Sequence, residues 1–228
     1  MKITLTRILA LAAICSFSAA AASALPRVPA PKSIYGTDNR QDYFAASPAD
    51  RKLADSVASL WKDVMLQQEG GNYRLLTDNF GEKMNLCPGE PFSEQPLGAF
   101  CSGSLVGKDL LMTAGHCIRD DFDCAGAKIV FGFAVTSSGG KAPETIPAGN
   151  VYGCKEIVTR ALEPKGKDYA LIRLDRAVQD RAPLAISRNQ KVQKGDKVFV
   201  IGYPVGIPLK VSGGSTVRDA SNPAFFVA

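Results

Sequence analysis

One histidine lies beside a cysteine in a stretch whose residue types could carry out acid–base chemistry. His116 is the only histidine of the 228 residues; it follows the strand-like run Leu110–Thr113 and directly precedes Cys117. Two strands joined by a tight turn would lay Cys101 near Cys117, where a disulfide could connect them. An imidazole changes its charge near neutral pH, as a general base requires. The pattern predicts a rigidly held base, with a structural histidine beside a disulfide as the alternative.

An aspartate opens a second stretch of interest, 52 residues after His116. Asp168 begins a run in which Ala170, Ile172 and Leu174 alternate with other residues, as in a half-buried strand. Taken alone, an aspartate before a strand is usually an ordinary surface or capping residue.

Together the two stretches resemble the motifs of trypsin-like serine proteases. Cys101–Val106 followed by Thr113–Cys117 is similar to the C-x-G-S-L-V and T-A-G/A-H-C pattern of that family. Asp168–Leu174 is similar to its D-x-A-L-I-x-L aspartate motif, and the spacing is close to the roughly 45 residues of the Ser-His-Asp template. The resemblance implies that His116 is the catalytic base, and that Asp168 holds the imidazole in its tautomer and stabilises the imidazolium.

The third member of the triad should be a serine in a G-[DN]-S-G-[GS] turn. Ser212–Ser215 is the candidate that the chain offers, but Lys210 and Val211 stand where the motif needs Gly and Asp or Asn. Its distance from Asp168 is also only about half of the roughly 90 residues in the template. We therefore predict that Ser212–Ser215 is a glycine-rich turn and not the nucleophile.

The end of the chain resembles the bacterial V8-like and glutamyl endopeptidases. Gly202–Pro208 is similar to their G-x-P-x-G-x-P stretch, and Phe225–Val227 would be the aromatic strand that precedes their serine motif. This resemblance implies that the chain is truncated before the serine, which would lie beyond Ala228, and that the chain as it stands is inactive. It favours cleavage after glutamate, but the sequence leaves the specificity open.

The cysteines outside the N-terminal segment number five, and in an exported protein they usually form disulfides. Besides Cys101–Cys117, we favour a pair between Cys124 and Cys154, which leaves Cys87 without a partner in this sequence.

An acidic cluster follows the histidine at Asp120, Asp121 and Asp123. A calcium site is the alternative, but the spacing lacks the glycine and distal glutamate of a known calcium loop. We expect a solvated acidic turn and no metal.

Short β-type runs separated by turns follow from about Tyr73 onward, which favours an all-β barrel or sandwich. The runs are Ala99–Val106, Asp109–Thr113, Lys128–Val135, Tyr169–Leu174 and Lys197–Tyr203. The family resemblance implies a chymotrypsin-like double antiparallel β-barrel with the site between the barrels. The first barrel is expected over Gly71–Ile157, and the second, incomplete, from near Leu184.

One amphipathic helix is predicted before these strands. Ser47 can cap it with Pro48 at its first position. An apolar stripe at helical spacing then extends it to about four to five turns. The stripe consists of Leu53, Val57, Leu60, Trp61 and Val64.

The first residues predict export. Lys2 and Arg7 precede the apolar run Ile8–Ala22, and a small-x-small cleavage site ends at Ala24. Serines in the run and Pro26 after it disfavour a membrane span. We expect a signal peptide over residues 1–24, a linker or propeptide with the helix over 25–70, and the peptidase domain over 71–228.

Composition limits the classes of partner. The net charge of +5 falls to +3 when Lys2 and Arg7 are removed, which is too small and too evenly spread for nucleic acid or an anionic membrane. We expect a secreted monomer, extracellular or periplasmic, without cofactor or stable membrane association, that acts on proteins and peptides. The alternatives are a protease-like binding module without activity and an unrelated exported β-protein.

Overall fold

The computed structural model describes residues 37–164, 166–188, 191–223 and 225–228, and its fold lies in one compact unit, Asn39–Ala228. The expected signal peptide and the linker Leu25–Ser33 lie outside the described residues. The helices are α1 (Pro48–Ala54), α2 (Phe80–Lys83) and α3 (Asp121–Ala125), with 3₁₀ turns at Tyr43–Ala45, Asp63–Met65, Ala148–Asn150 and Pro204–Gly206. The strands are β1 (Arg40–Asp42), β2 (Val57–Lys62), β3 (Leu66–Glu69), β4 (Asn72–Leu75), β5 (Asp78–Asn79), β6 (Pro96–Leu97), β7 (Cys101–Leu105), β8 (Leu110–Thr113), β9 (Ala127–Val130), β10 (Thr145–Pro147), β11 (Val151–Leu162), β12 (Asp168–Leu174), β13 (Lys197–Gly202) and β14 (Lys210–Thr216).

Six strands close into an antiparallel barrel in the order β11-β12-β8-β7-β2-β9, and β9 pairs back with β11. Closure gives every strand a neighbour on both sides, so this barrel has no free edge. The alternation in β12 places Ala170, Ile172 and Leu174 in its interior, as the sequence predicted. Burial of each such aliphatic side chain stabilises the fold by about 1.5–3 kcal/mol.

Strand β2 corrects the predicted long helix. Ser47 caps α1, and its Oγ accepts a hydrogen bond from the Asp50 N–H at 3.1 Å, but the helix ends at Ala54. Val57–Trp61 continues as a strand with both faces buried, so its apolar run also fits helical spacing. Alternate residues of the strand pack into the barrel interior and into a second apolar cluster. The expected domain boundary at Gly71 is therefore wrong, because β2 is part of the barrel.

The second part of the molecule is a three-stranded antiparallel sheet in the order β1-β14-β13. Ser212 pairs with Arg40 on one side and with Val200 on the other, so the predicted turn at Ser212–Ser215 is wrong and the segment is strand. Gly214 has φ of +80°, a backbone conformation that glycine adopts without strain, and it lies at the irregularity in the pairing of β14 with β13.

Two small sheets complete the fold, β10-β4-β3 and β5-β6. A membrane-spanning helix is not found among the described residues. The closed barrel followed by a second antiparallel sheet confirms the all-β, chymotrypsin-like fold class.

Candidate active site

The turn after β8 carries His116 and is fixed at both ends. Before the histidine, the Thr113 hydroxyl donates a hydrogen bond to the Ser102 carbonyl of the neighbouring strand at 2.8 Å. After it, Cys117 forms a disulfide with Cys101 at the start of that same strand. The imidazole thus projects from a short turn anchored twice to β7.

Asp168 reaches the same turn because β12 pairs with β8, with Ala170 opposite Thr113. The His116 backbone N–H donates to Asp168 Oδ1 at 2.9 Å, and Asp168 Oδ2 lies 2.7 Å from His116 Nδ1. Both carboxylate oxygens are therefore used by one residue. Sequence analysis singled out these two residues, and the fold brings them together.

This contact decides the tautomer of the neutral ring. A carboxylate only accepts hydrogen bonds, so the proton lies on Nδ1 and the lone pair on Nε2. The hydrogen bond from the His116 ring, joined by backbone N–H groups, holds the pKa of Asp168 below its ordinary value, although partial burial opposes the effect. The lowered pKa favours the ionised form of Asp168, which is the form that accepts both hydrogen bonds.

The His116 side chain is largely exposed. Its exposed fraction is 61%, and among the described residues no serine hydroxyl is hydrogen-bonded to the His116 Nε2. Ser212–Ser215 is held in β14. Among the described residues, His116 and Asp168 therefore form a hydrogen-bonded pair.

Comparison with known proteins adds the family. Residues 101–222 match the family model of the trypsin-like peptidase domain. The chain belongs to the trypsin-like peptidase family. The resemblance read from the His116 and Asp168 motifs is thereby confirmed.

Individual proteins that resemble the chain share only part of its sequence or fold. A trypsin-like protease of Streptomyces glaucescens is 32% identical over 125 residues, which cover 55% of this chain and 43% of that protein. The chain thus matches less than half the length of this curated relative. Among solved structures, the VesB protease of Vibrio cholerae is 17% identical with a TM-score of 0.44, covering 76% of this chain and 43% of that one. A Glu endopeptidase in complex with MPD is 14% identical with a TM-score of 0.44, covering 80% and 70%.

The segment after the histidine of this trypsin-like peptidase is held by the second disulfide, Cys124–Cys154, which joins α3 to β11. Cys87 is exposed and is not part of a disulfide. The sulfurs of Cys101 and Cys117 lie within 4.8 Å of a His116 ring nitrogen. Since a disulfide carries no thiolate, these atoms are not a metal-ligand set in this structure.

The acidic cluster is the predicted solvated turn only in part, because Asp120 and Asp121 are exposed whereas Asp123 is buried. Asp120 caps α3, its Oδ1 accepting from the Asp123 N–H at 2.8 Å. Asp123 is buried and accepts hydrogen bonds from the Arg119 backbone and guanidinium at 3.0, 2.7 and 3.2 Å. These bonds hold the pKa of Asp123 well below its usual range. Asp123 therefore fixes the turn between Cys117 and α3 rather than facing solvent.

Sequence reasoning missed the residue that connects the barrel to the second sheet near this site. The Ser102 Oγ accepts a hydrogen bond from the Tyr203 N–H at 2.8 Å. Gly202 permits this approach, because a Cβ there would lie 2.9 Å from the same oxygen. The only sequence signal was the position of Ser102 directly after Cys101.

Proposed function

We propose that this trypsin-like peptidase is an exported serine endopeptidase that hydrolyses proteins and peptides. His116 is its general base, Asp168 orients the imidazole, and the serine nucleophile lies in residues that follow Ala228. The observation that supports the proposal best is the double hydrogen bond from His116 to Asp168, at 2.7 and 2.9 Å, on a histidine side chain that is 61% exposed.

The chemistry follows from this geometry. The serine Oγ attacks the peptide carbonyl carbon while His116 Nε2 takes the hydroxyl proton, and the resulting imidazolium then gives this proton to the leaving amine. Water repeats the sequence on the acyl-enzyme and releases the acid product. The Asp168 carboxylate stabilises the imidazolium in each half-reaction.

The first test is covalent labelling with a fluorophosphonate, which reacts with a serine activated by a neighbouring base. We expect no labelling of the 228-residue chain, and labelling of the product read from the coding DNA through and beyond Ala228. His116→Ala should abolish the labelling. Labelling that survives in His116→Ala would contradict the role assigned to His116. A longer product that is not labelled would contradict the proposal as a whole and favour a binding module without activity.

Peptide hydrolysis by the same longer product tests the aspartate. Asp168→Asn should lower kcat about 10⁴-fold, because the imidazole then adopts the wrong tautomer. Asp63→Asn is the matched control, since Asp63 is exposed and lies outside the site. Equal effects of the two substitutions would exclude the role assigned to Asp168.

Export is the second part of the proposal. Two disulfides fit an oxidising compartment outside the cytoplasm, and the first 24 residues fit a signal peptide. Leu25–Ser33 is proposed to be a propeptide remnant. N-terminal sequencing of protein from the culture medium or periplasm should give Leu25, or a residue after Ser33 if the propeptide is removed; Met1 at the N-terminus would refute the cleavage.

A further inference from the structure

Gly115, the residue before the histidine, lies directly against the backbone of another pair of strands. A Cβ at Gly115 would be 2.1 Å from the Ala161 carbonyl oxygen and 3.0 Å from the Tyr169 carbonyl oxygen. Side-chain carbons do not approach other atoms to 2.1 Å, and a backbone oxygen cannot rotate away. The turn therefore fits only a residue without a side chain.

The strands that Gly115 touches also carry the aspartate. Ala161 of β11 is paired with Tyr169 of β12, and the next pair is Leu162 with Asp168. Gly115 and His116 are likewise consecutive. The contact at Gly115 thus sets how far His116 lies from Asp168.

A second contact holds the same turn from the carbonyl side. The Arg160 Nη2 donates to the Gly115 carbonyl oxygen at 3.5 Å. The Arg160 Nε is buried and has no hydrogen-bond partner among the described residues, although the residue as a whole is only half-buried.

We propose that Gly115 and Arg160 are positioning residues that seat the His116 turn on the β11–β12 pair at hydrogen-bonding distance from Asp168. The family motif accepts Gly or Ala before the histidine, whereas in this chain the space admits only Gly. Relieving the overlap needs a shift of about 1 Å, which lengthens bonds of 2.7 and 2.9 Å beyond hydrogen-bonding distance. A role of these two contacts in catalysis rests on the function proposed above.

The test uses the only histidine as its own reporter. An imidazole Nδ1 proton bonded to a carboxylate is shifted downfield and exchanges slowly with water, so ¹⁵N-histidine labelling gives one signal for the pair. Gly115→Ala should lose this signal, as Asp168→Asn does. Gly71→Ala should keep it, because a Cβ there has no heavy atom within 4 Å. A folded Gly115→Ala protein with an unchanged signal would overturn the proposal.

Folding is monitored independently by Trp61, the only tryptophan, which is fully buried. If Gly115→Ala does not fold, Arg160→Gln decides: we expect a weakened, faster-exchanging Nδ1 proton, and an unchanged signal overturns the proposal. In the longer product, Gly115→Ala should lower kcat about 10²-fold with little change in KM. The NMR signal does not depend on a nucleophile. The positioning role of Gly115 and Arg160 can therefore be refuted while the proposed activity stands, and the activity can be refuted while the positioning role stands.

Discussion

The first barrel and the second sheet differ in how completely they bury their own apolar residues. All six strands of the barrel have two neighbours, and Leu60, Leu105 and Leu111 in its interior are fully buried. In the second sheet, β13 is an edge strand, and its Phe199 and Val200 are 48% and 67% exposed. The sheet therefore presents unpaired backbone groups and apolar side chains together.

The two regions therefore differ in what they do: the closed barrel holds the His116–Asp168 pair, and the second sheet exposes an apolar edge. His116 and Asp168 both lie on the barrel, so their geometry depends on the part of the molecule that is closed. An exposed apolar edge is instead a site of association. We expect amide hydrogen exchange to be slow in β8 and β12 and much faster in β13, and we expect the chain on its own to aggregate through β13.

The largest expected effect compares one residue type in the two regions. Phe131 is fully buried in the barrel core, whereas Phe199 lies on the exposed edge. Phe131→Ala should lower the free energy of unfolding by about 3–5 kcal/mol, and Phe199→Ala by less than about 0.5 kcal/mol. Urea unfolding followed by Trp61 fluorescence measures both. Similar losses would contradict the comparison.

The second sheet also contains one well-buried contact, an ion pair, in contrast to its exposed edge at β13. Lys210 of β14 is buried, and its Nζ donates to Asp42 of β1 at 2.7 Å, to Gln95 at 2.7 Å and to the Pro208 carbonyl at 2.9 Å. Burial lowers the pKa of Lys210, and the Asp42 carboxylate opposes this shift. The pair therefore connects the edge of the sheet nearest the N-terminus to its central strand.

Removing the cation tests that connection. Lys210→Met should destabilise the fold by about 3 kcal/mol, since it leaves the Asp42 carboxylate partly buried without its cation. Lys197→Met, on an exposed position of β13, is the control and should change little. Urea unfolding and hydrogen exchange in β14 measure the effect. Stability recovered in Lys210→Met with Asp42→Leu would support the ion pair as the cause; no recovery would point to lost packing.

Removing the second disulfide tests how much it stabilises the barrel. Cys124 and Cys154 are 30 residues apart. Replacing both by alanine should lower the free energy of unfolding by about 3 kcal/mol, because the unfolded chain without the disulfide has more conformational entropy. Cys87→Ser should have almost no effect, because Cys87 is exposed and outside both disulfides. Thermal unfolding measures both. Equal midpoints for the two variants would contradict a stabilising role for the Cys124–Cys154 bond.

Local patterns predicted the residues at the centre of the site. The segments around His116 and Asp168 are each recognisable from a few consecutive residues. The strand β12 was predicted from its alternation, and β8 was predicted as a short β-type run. The strands are neighbours in the barrel, so two short motifs suffice to place the pair.

Contacts between distant segments could not be read from the sequence. Val57–Trp61 fits a helix and a doubly buried strand equally well, and only pairing with β7 and β9 decides for the strand. Asp123 was predicted to face solvent because the sequence does not show that the turn brings it into contact with Arg119. The need for Gly115 depends on a carbonyl 46 residues away in β11, which no local pattern encodes.

The smallest expected effect concerns Asp123, inside the barrel region, and depends on pH. Its folded-state pKa lies well below the ordinary value, so its stabilisation is present above the unfolded pKa of about 3.9 and is lost as the pH falls toward the folded pKa. Asp123→Asn should cost about 1 kcal/mol at pH 7, and this difference from the wild type should shrink by pH 3. Asp121→Asn, on the exposed side of the same helix, should show neither effect. A cost for Asp123→Asn that is the same at both pH values would mean that shape, and not the charge paired with Arg119, holds the turn after His116.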